Sequence, residues 1–422
     1  MRKHLAIIIV LVASVVTHFA FFSEPRETVF DEVHFGKFMA AYFTGEYYFD
    51  IHPPLGKLII SGAGYMAGFQ PGFSFGNIGD QFPDNTYLAL RFLPRLAGTL
   101  LPVVIFLLLL ELGLSRVAAM SAGLLIVLEN ALLVQSRFML LDSFLLLFGF
   151  TAWWLYARYR NHPHVLYLLG AAIFAGSAAS IKWTGITFLG IIGILELLKW
   201  RLPRGKAGWK NLIILAVIPF LVYYSLFTIH FRLLSKPGPG DAFMTQEFRD
   251  GKENTWQKFV ELNKEMYRAN ANLTATHPYS SKWYTWPFMQ RPIYYWNDGD
   301  AKIYLLGNPI VWWASTVGII ALLINAFVVR HNKLYWLIAG AYLVNLLPFI
   351  GIDRAMFLYH YFTALVIAII ALVYLIDQQQ KSRKYIFGGL LAISLVAFLV
   401  YAPLTYGLPA HYVQSLMLRT WQ

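Results

Sequence analysis

Long apolar runs recur along most of the chain and constrain its fold more than any other feature. A bilayer requires about 20 consecutive apolar residues for each spanning helix, because backbone polar groups inside it must be paired within the helix. The sequence contains about eleven such runs. They lie at residues 4–22, 88–112, 116–134, 138–157, 164–181, 183–200, 211–231, 309–329, 334–350, 360–377 and 385–403. The chain is therefore predicted to be an all-α polytopic membrane protein with one membrane domain over residues 1–422.

The composition agrees with this prediction and excludes several classes of protein. Hydrophobic residues make up 58% of the 422 residues and charged residues only 13%, against about 25% charged residues in a typical soluble domain. A soluble enzyme of this size, a disordered chain and a coiled coil are excluded. The absence of cysteine excludes disulfides, zinc–thiolate sites and iron–sulfur clusters. The net charge of +12 comes from basic residues scattered between apolar runs, so nucleic acid is not predicted as a partner.

Basic residues in the short loops predict the orientation of the chain, because short cytoplasmic loops are enriched in lysine and arginine. A cytoplasmic N-terminus puts at least one basic residue, and almost no acidic residue, in every inner loop. These basic residues are Arg2, Lys3, Arg116, Arg158, Arg160, Arg201, Arg204, Lys206, Lys210, Arg330, Lys333, Lys381, Arg383 and Lys384. In an alternative topology the first run is a cleaved signal peptide, but no clear A-x-A cleavage site follows it.

Two connecting segments are long, and both face outward in this topology. The first covers residues 23–87 and the second covers residues 232–308, and most of the acidic residues outside the membrane lie in them. The sequence contains neither a P-loop motif nor a GxGxxG motif. ATP and nucleotide sugars are therefore not expected as direct substrates, and the chemistry is predicted to take place on the outer face.

The strongest local cluster of ionisable residues lies in the first outer segment and reads FDEVHFGKF at residues 30–38. Asp31, His34 and Lys37 are three residues apart, so a helix there places them on one face. Ionisable groups at a membrane are costly to remove from water and mark functional sites. The alternative interpretation is a solvated interfacial helix.

A second polar run, YFDIHPPLGK at residues 48–57, follows in the same segment. Its two prolines restrict the backbone and block helix continuation, so Asp50 and His52 are predicted to lie on a rigid bend. Acidic and histidine side chains are also the types that bind divalent metals, but no HExxH motif or comparable spacing is present. The sequence therefore does not favour a metal site, and a divalent metal bound by Asp31, Glu32, His34, Asp50 and His52 stays an alternative.

Basic residues at the outer ends of several apolar runs form a third group. Arginine binds phosphate through two parallel hydrogen bonds, so a ring of such residues at one depth would suit a lipid-linked phosphate. The alternative for each residue alone is snorkelling of its charged end to the membrane surface. The group consists of Arg91, Arg95, Arg137, Lys182, Arg354 and His360.

Aromatic residues are dense in the second outer segment, in HPYSSKWYTWP at residues 277–287 and RPIYYW at residues 291–296. Tryptophan and tyrosine at a membrane surface usually form an anchoring belt, and the same side chains also stack on sugar rings. The sequence leaves both interpretations open, an anchoring belt and a surface that stacks on sugar rings.

Eight runs, in this order, resemble the protein O-mannosyltransferase family. They are FDEVHFGKF at 30–38, YFDIHPPLGKL at 48–58, QSRFMLLDS at 135–143, SIKWTG at 180–185, HPYSSKWYTWP at 277–287, RPIYYW at 291–296, GNPIVWW at 307–313 and FLYHYF at 357–362. The resemblance implies the GT-C membrane glycosyltransferase architecture, with two large outer loops. It also implies transfer of mannose from polyprenyl-phosphate-mannose to serine or threonine of secreted or membrane proteins, with inversion at the anomeric carbon.

One difference from the family pattern indicates which type of family member this chain resembles. Eukaryotic members carry a lectin-like MIR domain in the second large loop, and segment 232–308 is too short to hold one. The chain is thus similar to the compact bacterial or archaeal type, which implies the cytoplasmic membrane of such a cell as its location.

The resemblance also implies roles for individual residues. Asp31 is similar to the family's proposed base, and Glu32 beside it is expected to orient the acceptor or the sugar. The residues expected to bind the donor phosphate are Arg91, Arg137, Lys182, Arg354 and His360. The residues expected to orient the substrates are His34, Asp50, His52, Tyr361, Arg291 and Trp286. The lipid-linked donor is a substrate, and no cofactor is expected to be required.

Two other functions compete with this interpretation. One is a GT-C transferase that moves a polyprenyl-phosphate-linked sugar onto a glycolipid or a cell-wall glycan. The other is a transporter, but transporters place ionisable residues in mid-membrane and often contain inverted repeats. Here the acidic residues within the runs are few, as at Glu111 and Glu129, and no repeat is detected.

Overall fold

The computed structural model describes residues 2–200, 208–272, 276–329, 332–409 and 411–421. This part of the chain is mostly helical, as predicted. The helices are α1 (Arg2–Phe19), α2 (Glu32–Thr44), α3 (Leu55–Met66), α4 (Tyr87–Glu111), α5 (Arg116–Val127), α6 (Asn130–Ser136), α7 (Asp142–Asn161), α8 (Val165–Ala179), α9 (Ile186–Trp200), α10 (Trp209–Leu233), α11 (Gln246–Arg249), α12 (Thr255–Asn272), α13 (Pro309–Val328), α14 (Lys333–Leu346), α15 (Phe362–Asp377), α16 (Arg383–Tyr406) and α17 (His411–Leu416). Two strands, β1 (Ile293–Asp298) and β2 (Ala301–Leu305), pair antiparallel.

Six helical segments in the described residues are long and apolar enough to cross a membrane, and the bent pair α5–α6 is a seventh candidate. The six contain α4, α10, α13, α14, α15 and α16, while α1, α8 and α9 fall in shorter apolar helices. Every predicted run is helical over most of its length, so the prediction of an all-α polytopic membrane protein is confirmed. The number of eleven spans stays a prediction. Four inner-loop residues, Arg201, Arg204, Lys206 and Arg330, lie outside the described residues.

The predicted single domain contains two compact units. The terminal unit comprises Met1–Pro25, Arg95–Phe138 and Thr276–Gln422, and the middle unit comprises Arg26–Pro94 and Met139–Ala275. Both outer segments contain regular structure. The first holds α2 and α3, and the second holds α11, α12 and the two strands.

Helix α15 forms the buried centre of the terminal unit. Most of its side chains are buried, and it packs against α5, α13 and α14. The contact with α13 is close because Gly318 has no side chain; a Cβ there would lie 2.8 Å from the Leu372 Cα atom. At the bend between α5 and α6, the buried Glu129 carboxylate accepts hydrogen bonds from the backbone N–H groups of Ala131 and Asn308.

Small residues bring the helices of the middle unit together. Ala152 of α7 and Ala171 and Ala175 of α8 are buried in one cluster, which permits close helix approach without large side chains. Gly176 of α8 lies against α10, where an added Cβ would lie 2.7 Å from the Pro219 Cα atom. Helix α8 is therefore closely packed against both α7 and α10.

An aromatic cluster fixes the second polar run within the middle unit. Tyr47 and Tyr48 pack with Phe227 of α10 and with Phe248 and Phe259 of the second outer segment. Burial of each such side chain contributes about 1.5–3 kcal/mol. The bend that follows Tyr48 is thereby held in place by three helices distant in sequence, α10, α11 and α12.

The contact between α2 and the chain after α3 predicts that a larger side chain at Gly36 destabilises the protein. A Cβ on Gly36 would lie 2.1 Å from the fully buried ring of Phe75, and overpacking of this kind costs about 1–3 kcal/mol. Gly36→Ala should therefore lower the thermal unfolding midpoint in detergent. Gly62→Ala in α3 is the matched control, because nothing described lies within 4 Å of its added Cβ. Equal midpoints for the two variants would contradict this packing.

Candidate active site

Asp31 lies directly before the first residue of α2, at the end of a sharp turn. Phe30 adopts a left-handed backbone conformation with φ of 47°, and the Asp31 carbonyl accepts hydrogen bonds from the N–H groups of His34 and Phe35. Asp31 as a whole residue is partly exposed. In the described part of the chain nothing donates a hydrogen bond to it or pairs with it. The carboxylate is therefore available to a substrate.

In its surroundings the carboxyl group of Asp31 binds a proton more tightly than it would in water. Partial removal from water raises the pKa of Asp31 to about 7, because it disfavours the charged form. The positive charge of Lys182 lowers this pKa, and the negative charges of Asp142 and Asp50 raise it. A carboxylate with a pKa near neutrality is a stronger base than an ordinary aspartate, and such values are typical of general bases.

Glu32, the next residue, has a different environment. Its side chain is fully buried. One carboxylate oxygen accepts hydrogen bonds from Arg91 Nε at 2.8 Å and from the Met139 N–H at 3.0 Å. The other accepts from Arg91 Nη2 at 2.6 Å and from the Val29 N–H at 2.9 Å. The expected contact between Glu32 and a substrate does not agree with this geometry, because both oxygens are already used inside the protein.

Arg91, the partner of Glu32, is buried to the same extent. Its guanidinium also donates to the Glu27 carbonyl at 2.6 Å and lies over the rings of Phe82 and Tyr87, 5.2 and 5.1 Å from their centres. The prediction that Arg91 binds the donor phosphate is therefore corrected. The residue anchors the start of α2 to α4, and in this way it positions Asp31.

Lys182 and Asp142, whose charges both act on Asp31, form an ion pair with one another. Lys182 follows α8 in extended conformation, and its Nζ donates to Asp142 Oδ1 at 2.7 Å. The lysine side chain is 12% exposed and the aspartate 7%. Gly185 sets this turn tightly on α8, because a Cβ there would lie 2.3 Å from the Ala178 carbonyl. The positive charge of Lys182 thus acts on the candidate base, and binding of the donor phosphate by Lys182 stays a prediction.

Asp50 and His52 lie on the predicted bend, and each of them contacts a further residue. Asp50 forms an ion pair with Lys57, whose Nζ also donates to the His52 carbonyl at 2.8 Å. The His52 ring stacks on Phe35 of α2 with 6.4 Å between centres. Lys57 was not predicted as a site residue. Its position seven residues after Asp50, beyond a double proline, was the sequence signal that could have indicated it.

His34 lies one helical turn after Asp31 and is exposed. Partial burial and the nearby Lys37 charge lower the pKa of His34, while Asp50 raises it. A neutral imidazole can donate or accept a hydrogen bond with a substrate hydroxyl, and the orienting role expected for His34 stays a prediction.

The other predicted site residues belong to the terminal unit. Two basic residues of this unit, Arg95 and Arg137, are fully buried. The Arg137 guanidinium donates to the carbonyls of Phe21, Glu24 and Thr405. It therefore crosslinks three backbone segments. The prediction that Arg137 binds the donor phosphate is corrected, because its side chain is enclosed by these carbonyl groups.

Trp286 and Tyr361 are also buried, in contrast to the expected contacts with substrate. The Trp286 indole donates to the Ser281 hydroxyl at 2.9 Å, and the hydroxyls of Tyr361 and Tyr342 are 3.1 Å apart. The prediction that Trp286 and Tyr361 orient the substrates is therefore corrected, because both side chains pack inside the protein. His360 stacks on Trp286, 5.9 Å between ring centres, and it is only partly buried.

Arg354 and Arg291 retain side chains that are open to a ligand. Arg354 is partly buried, and burial lowers the pKa of its guanidinium. No described residue pairs with it through a hydrogen bond or an ion pair. A desolvated cation without a carboxylate partner suits an anion. Arg291 is exposed and has a left-handed backbone with φ of 57°.

Over the described ranges no group of three or more histidine, aspartate or glutamate side chains is arranged to hold a metal ion.

Two family models match the chain. The model described as dolichyl-phosphate-mannose-protein mannosyltransferase covers residues 8–235, and that of the C-terminal four TMM region of protein-O-mannosyltransferase covers residues 255–422. The first match alone covers more than half of the sequence.

Relatives from eukaryotes align with a part of the chain. Dolichyl-phosphate-mannose–protein mannosyltransferase 1 of Candida albicans is 36% identical over 245 residues, which make up 54% of this chain and 28% of that protein. Protein O-mannosyltransferase 1 of Drosophila melanogaster is 36% identical over 249 residues, or 55% and 28% respectively. The chain thus spans little more than a quarter of the length of these curated relatives.

Solved structures share the fold. The Saccharomyces cerevisiae protein O-mannosyltransferase Pmt1-Pmt2 complex bound to the sugar donor superposes with a TM-score of 0.94 at 20% identity, over 100% of this chain and 93% of that chain. ArnT from Cupriavidus metallidurans bound to undecaprenyl phosphate gives 0.53 at 14% identity, over 88% and 60%. The fold is therefore the GT-C membrane glycosyltransferase fold. With the family match over more than half of its length, the chain belongs to the dolichyl-phosphate-mannose-protein mannosyltransferase family.

Proposed function

We propose that the protein transfers mannose from polyprenyl-phosphate-mannose to serine or threonine hydroxyls of secreted or membrane proteins, with inversion at the anomeric carbon. Family membership and the likeness to a donor-bound mannosyltransferase complex support the reaction class. The observation that carries the proposal is the carboxylate of Asp31, a partly exposed residue. This carboxylate lacks a described partner, and burial raises its pKa to about 7.

Asp31 acts as the general base. The acceptor hydroxyl donates its proton to an Asp31 carboxylate oxygen while the hydroxyl oxygen forms a bond to the anomeric carbon of mannose. The bond between that carbon and the phosphate oxygen breaks, and the electron pair leaves with the lipid phosphate. General-base catalysis of this kind contributes about 10²–10⁴-fold to the rate.

Lys182 is the candidate in the middle unit for stabilising the departing phosphate. Its side chain is 12% exposed and is positioned by Asp142. A preorganised cation in a site of low dielectric constant stabilises developing negative charge strongly. Arg354 and His360 remain candidates in the terminal unit. No cofactor is assigned to the reaction, and the donor lipid and the acceptor protein are its substrates.

The protein spans a membrane several times, and we place the active site on the outer face. This placement rests on the basic residues of the short loops and on the position of Asp31 in the first outer segment. The compact second segment favours the cytoplasmic membrane of a bacterium or archaeon, with acceptors modified during secretion.

The experiment that tests the function is transfer of radiolabelled mannose from polyprenyl-phosphate-mannose by the purified full chain. A serine- and threonine-rich peptide, a lipid extract and a cell-wall glycan fraction are offered as acceptors in parallel. We expect label on the peptide, and treatment with EDTA should leave it unchanged. Label on the lipid or glycan alone would favour the alternative acceptor class. Loss with EDTA and recovery with a divalent ion would contradict the absence of a metal requirement.

The pH dependence of transfer should report on Asp31. The base must be ionised in the free enzyme, and at a pH below its pKa the carboxyl is protonated and unable to accept a proton. Because the pKa of Asp31 is raised to about 7, kcat/KM should rise between pH 6 and 8, roughly one unit either side of that value. A profile that is already flat at pH 5, about where an unperturbed aspartate is ionised, would contradict the assignment.

A further inference from the structure

Helix α12 of the second outer segment has two apolar sides, and the protein covers one of them. Phe259, Leu262 and Met266 are buried in the aromatic cluster of the middle unit. On the other side, Trp256 and Tyr267 are 51% and 66% exposed. This second side is therefore an apolar surface that the described part of the chain leaves largely open.

The exposed apolar side chains form a stripe along α12. Successive helical residues are about 100° apart, so Trp256, Val260 and Tyr267 lie within about 40° of one another around the helix. Lys264 and Arg268 come next, within about 80° of this stripe. An apolar stripe bordered by basic residues is typical of helices that lie in the interface of a membrane. We call Trp256, Val260 and Tyr267 the outer stripe of α12.

The outer stripe continues the lipid-facing surface of α10. Helix α10 is long and apolar enough to cross a membrane, and only 17% of its most apolar stretch is buried. Phe220 of α10 is 46% exposed, and its ring centre lies 6.4 Å from that of Trp256. The ring centre of Tyr224, one turn further along α10, lies 5.8 Å from the same tryptophan. Lipid that covers the exposed side of α10 therefore also reaches the start of the outer stripe.

Hydrogen bonds hold α12 at the level where the apolar part of α10 ends. That part covers residues 211–222 and is followed by Tyr223 and Tyr224, and tyrosine and tryptophan are enriched where a membrane meets water. The Tyr223 hydroxyl donates to Asn263 Oδ1 of α12 at 2.6 Å and accepts from the Trp183 indole at 2.9 Å. These contacts place α12 near the depth of the lipid headgroups.

A groove with a volume of about 550 Å³ lies along this part of α12. It is lined by Phe259, Val260, Asn263, Lys264, Tyr267 and Arg268. Arg268 is paired with Glu265. Lys264 is exposed and forms no ion pair with any described residue. An apolar floor with an available ammonium at its edge fits the acyl chain and the phosphate of a lipid.

We propose that the outer stripe and Lys264 bind an anionic phospholipid of the outer leaflet. The acyl chain packs against Val260 and Tyr267, and the headgroup phosphate accepts a hydrogen bond from the Lys264 ammonium. This binding site goes beyond the proposed function, because none of its residues has a role in mannosyl transfer.

The absence of cysteine from the chain permits a site-specific test. Tyr267→Cys and Trp256→Cys are prepared separately, labelled with bimane and placed as full chains in nanodiscs. The nanodiscs contain brominated phosphatidylcholine or brominated phosphatidylglycerol, whose bromine atoms quench only a fluorophore that contacts the acyl chains. Glu247→Cys is the matched control, because Glu247 is exposed on α11 of the same outer segment and lies outside the stripe.

We expect strong quenching of the labels at positions 267 and 256 and little quenching at position 247. In mixed nanodiscs the Tyr267→Cys label should prefer phosphatidylglycerol over phosphatidylcholine by about fivefold, which corresponds to about 1 kcal/mol for one lysine near an anionic surface. Adding Lys264→Gln should abolish this preference. Adding Lys252→Gln should retain it, because the Lys252 ammonium pairs with Asp250 elsewhere in the segment.

Quenching at both stripe positions that is no stronger than at position 247 would overturn the proposal. A second copy of the chain or another protein on the stripe would give this result. Equal quenching by the two lipids, or a preference that persists in Lys264→Gln, would overturn it as well. Tyr267 and Lys264 are exposed, so the fold should tolerate both substitutions. Thermal unfolding checks this, and the Trp256→Cys label carries the test if Tyr267→Cys does not fold. No readout uses mannosyl transfer, so failure here is distinguishable from failure of the proposed function.

Discussion

Asp31→Asn should reduce mannosyl transfer by about 10²–10⁴-fold, the range that general-base catalysis contributes. Asparagine has nearly the shape of aspartate but does not accept the acceptor's proton. Because no described residue hydrogen-bonds the Asp31 side chain, the substitution leaves the fold intact. Transfer of label to the peptide and binding of the donor lipid are measured with the same preparations. We expect the turnover rate to fall while donor affinity changes little.

The control for this prediction is an acidic residue elsewhere in the same outer segment. Asp84 is exposed, and its carboxylate accepts hydrogen bonds from the Thr86 N–H and hydroxyl. Asp84→Asn should retain transfer close to the wild-type rate. An active Asp31→Asn variant would leave the fold and family intact but would exclude Asp31 as the base.

Arg91→Met should destabilise the protein by about 3–5 kcal/mol, the cost of leaving one partner of a buried ion pair alone. Arg91 and Glu32 are fully buried, and their bidentate contact is reinforced by the N–H groups of Val29 and Met139. Glu32→Gln should be similarly damaging because it leaves the guanidinium without a counter-charge. Thermal unfolding in detergent and the yield of folded protein measure both effects.

Arg91→Lys separates the structural role from phosphate binding. Lysine keeps the charge but does not form the two parallel hydrogen bonds to Glu32, so the unfolding midpoint should still fall. The exposed pair Arg268–Glu265 is the control, and Arg268→Met should cost less than about 1 kcal/mol. An Arg91→Lys variant with unchanged stability and weakened donor binding would restore the original assignment of Arg91 to the phosphate.

The two arginines illustrate why sequence reasoning assigned the wrong roles. Arg91 and Arg137 have the residue type and the position in their runs that a phosphate site would need, and nothing in the local pattern distinguishes a ligand-binding arginine from a structural one. The distinction depends on partners remote in sequence. Glu32 is 59 residues from Arg91, and Thr405 is 268 residues from Arg137. Only the folded chain reveals that these partners occupy the guanidinium groups.

The sequence by itself determined the membrane class and the helical positions, while the assignment of Asp31 as base came from the family resemblance and stays a prediction. The membrane class and the helical positions follow from local physics, because a run of apolar residues must form a helix in lipid. The tertiary structure decided which ionisable groups stay available. Glu32 and Asp31 are neighbours in the chain, yet one is neutralised by Arg91 and the other has no described partner. Burial and pairing arise from contacts between distant segments, and these set the chemistry of each carboxylate.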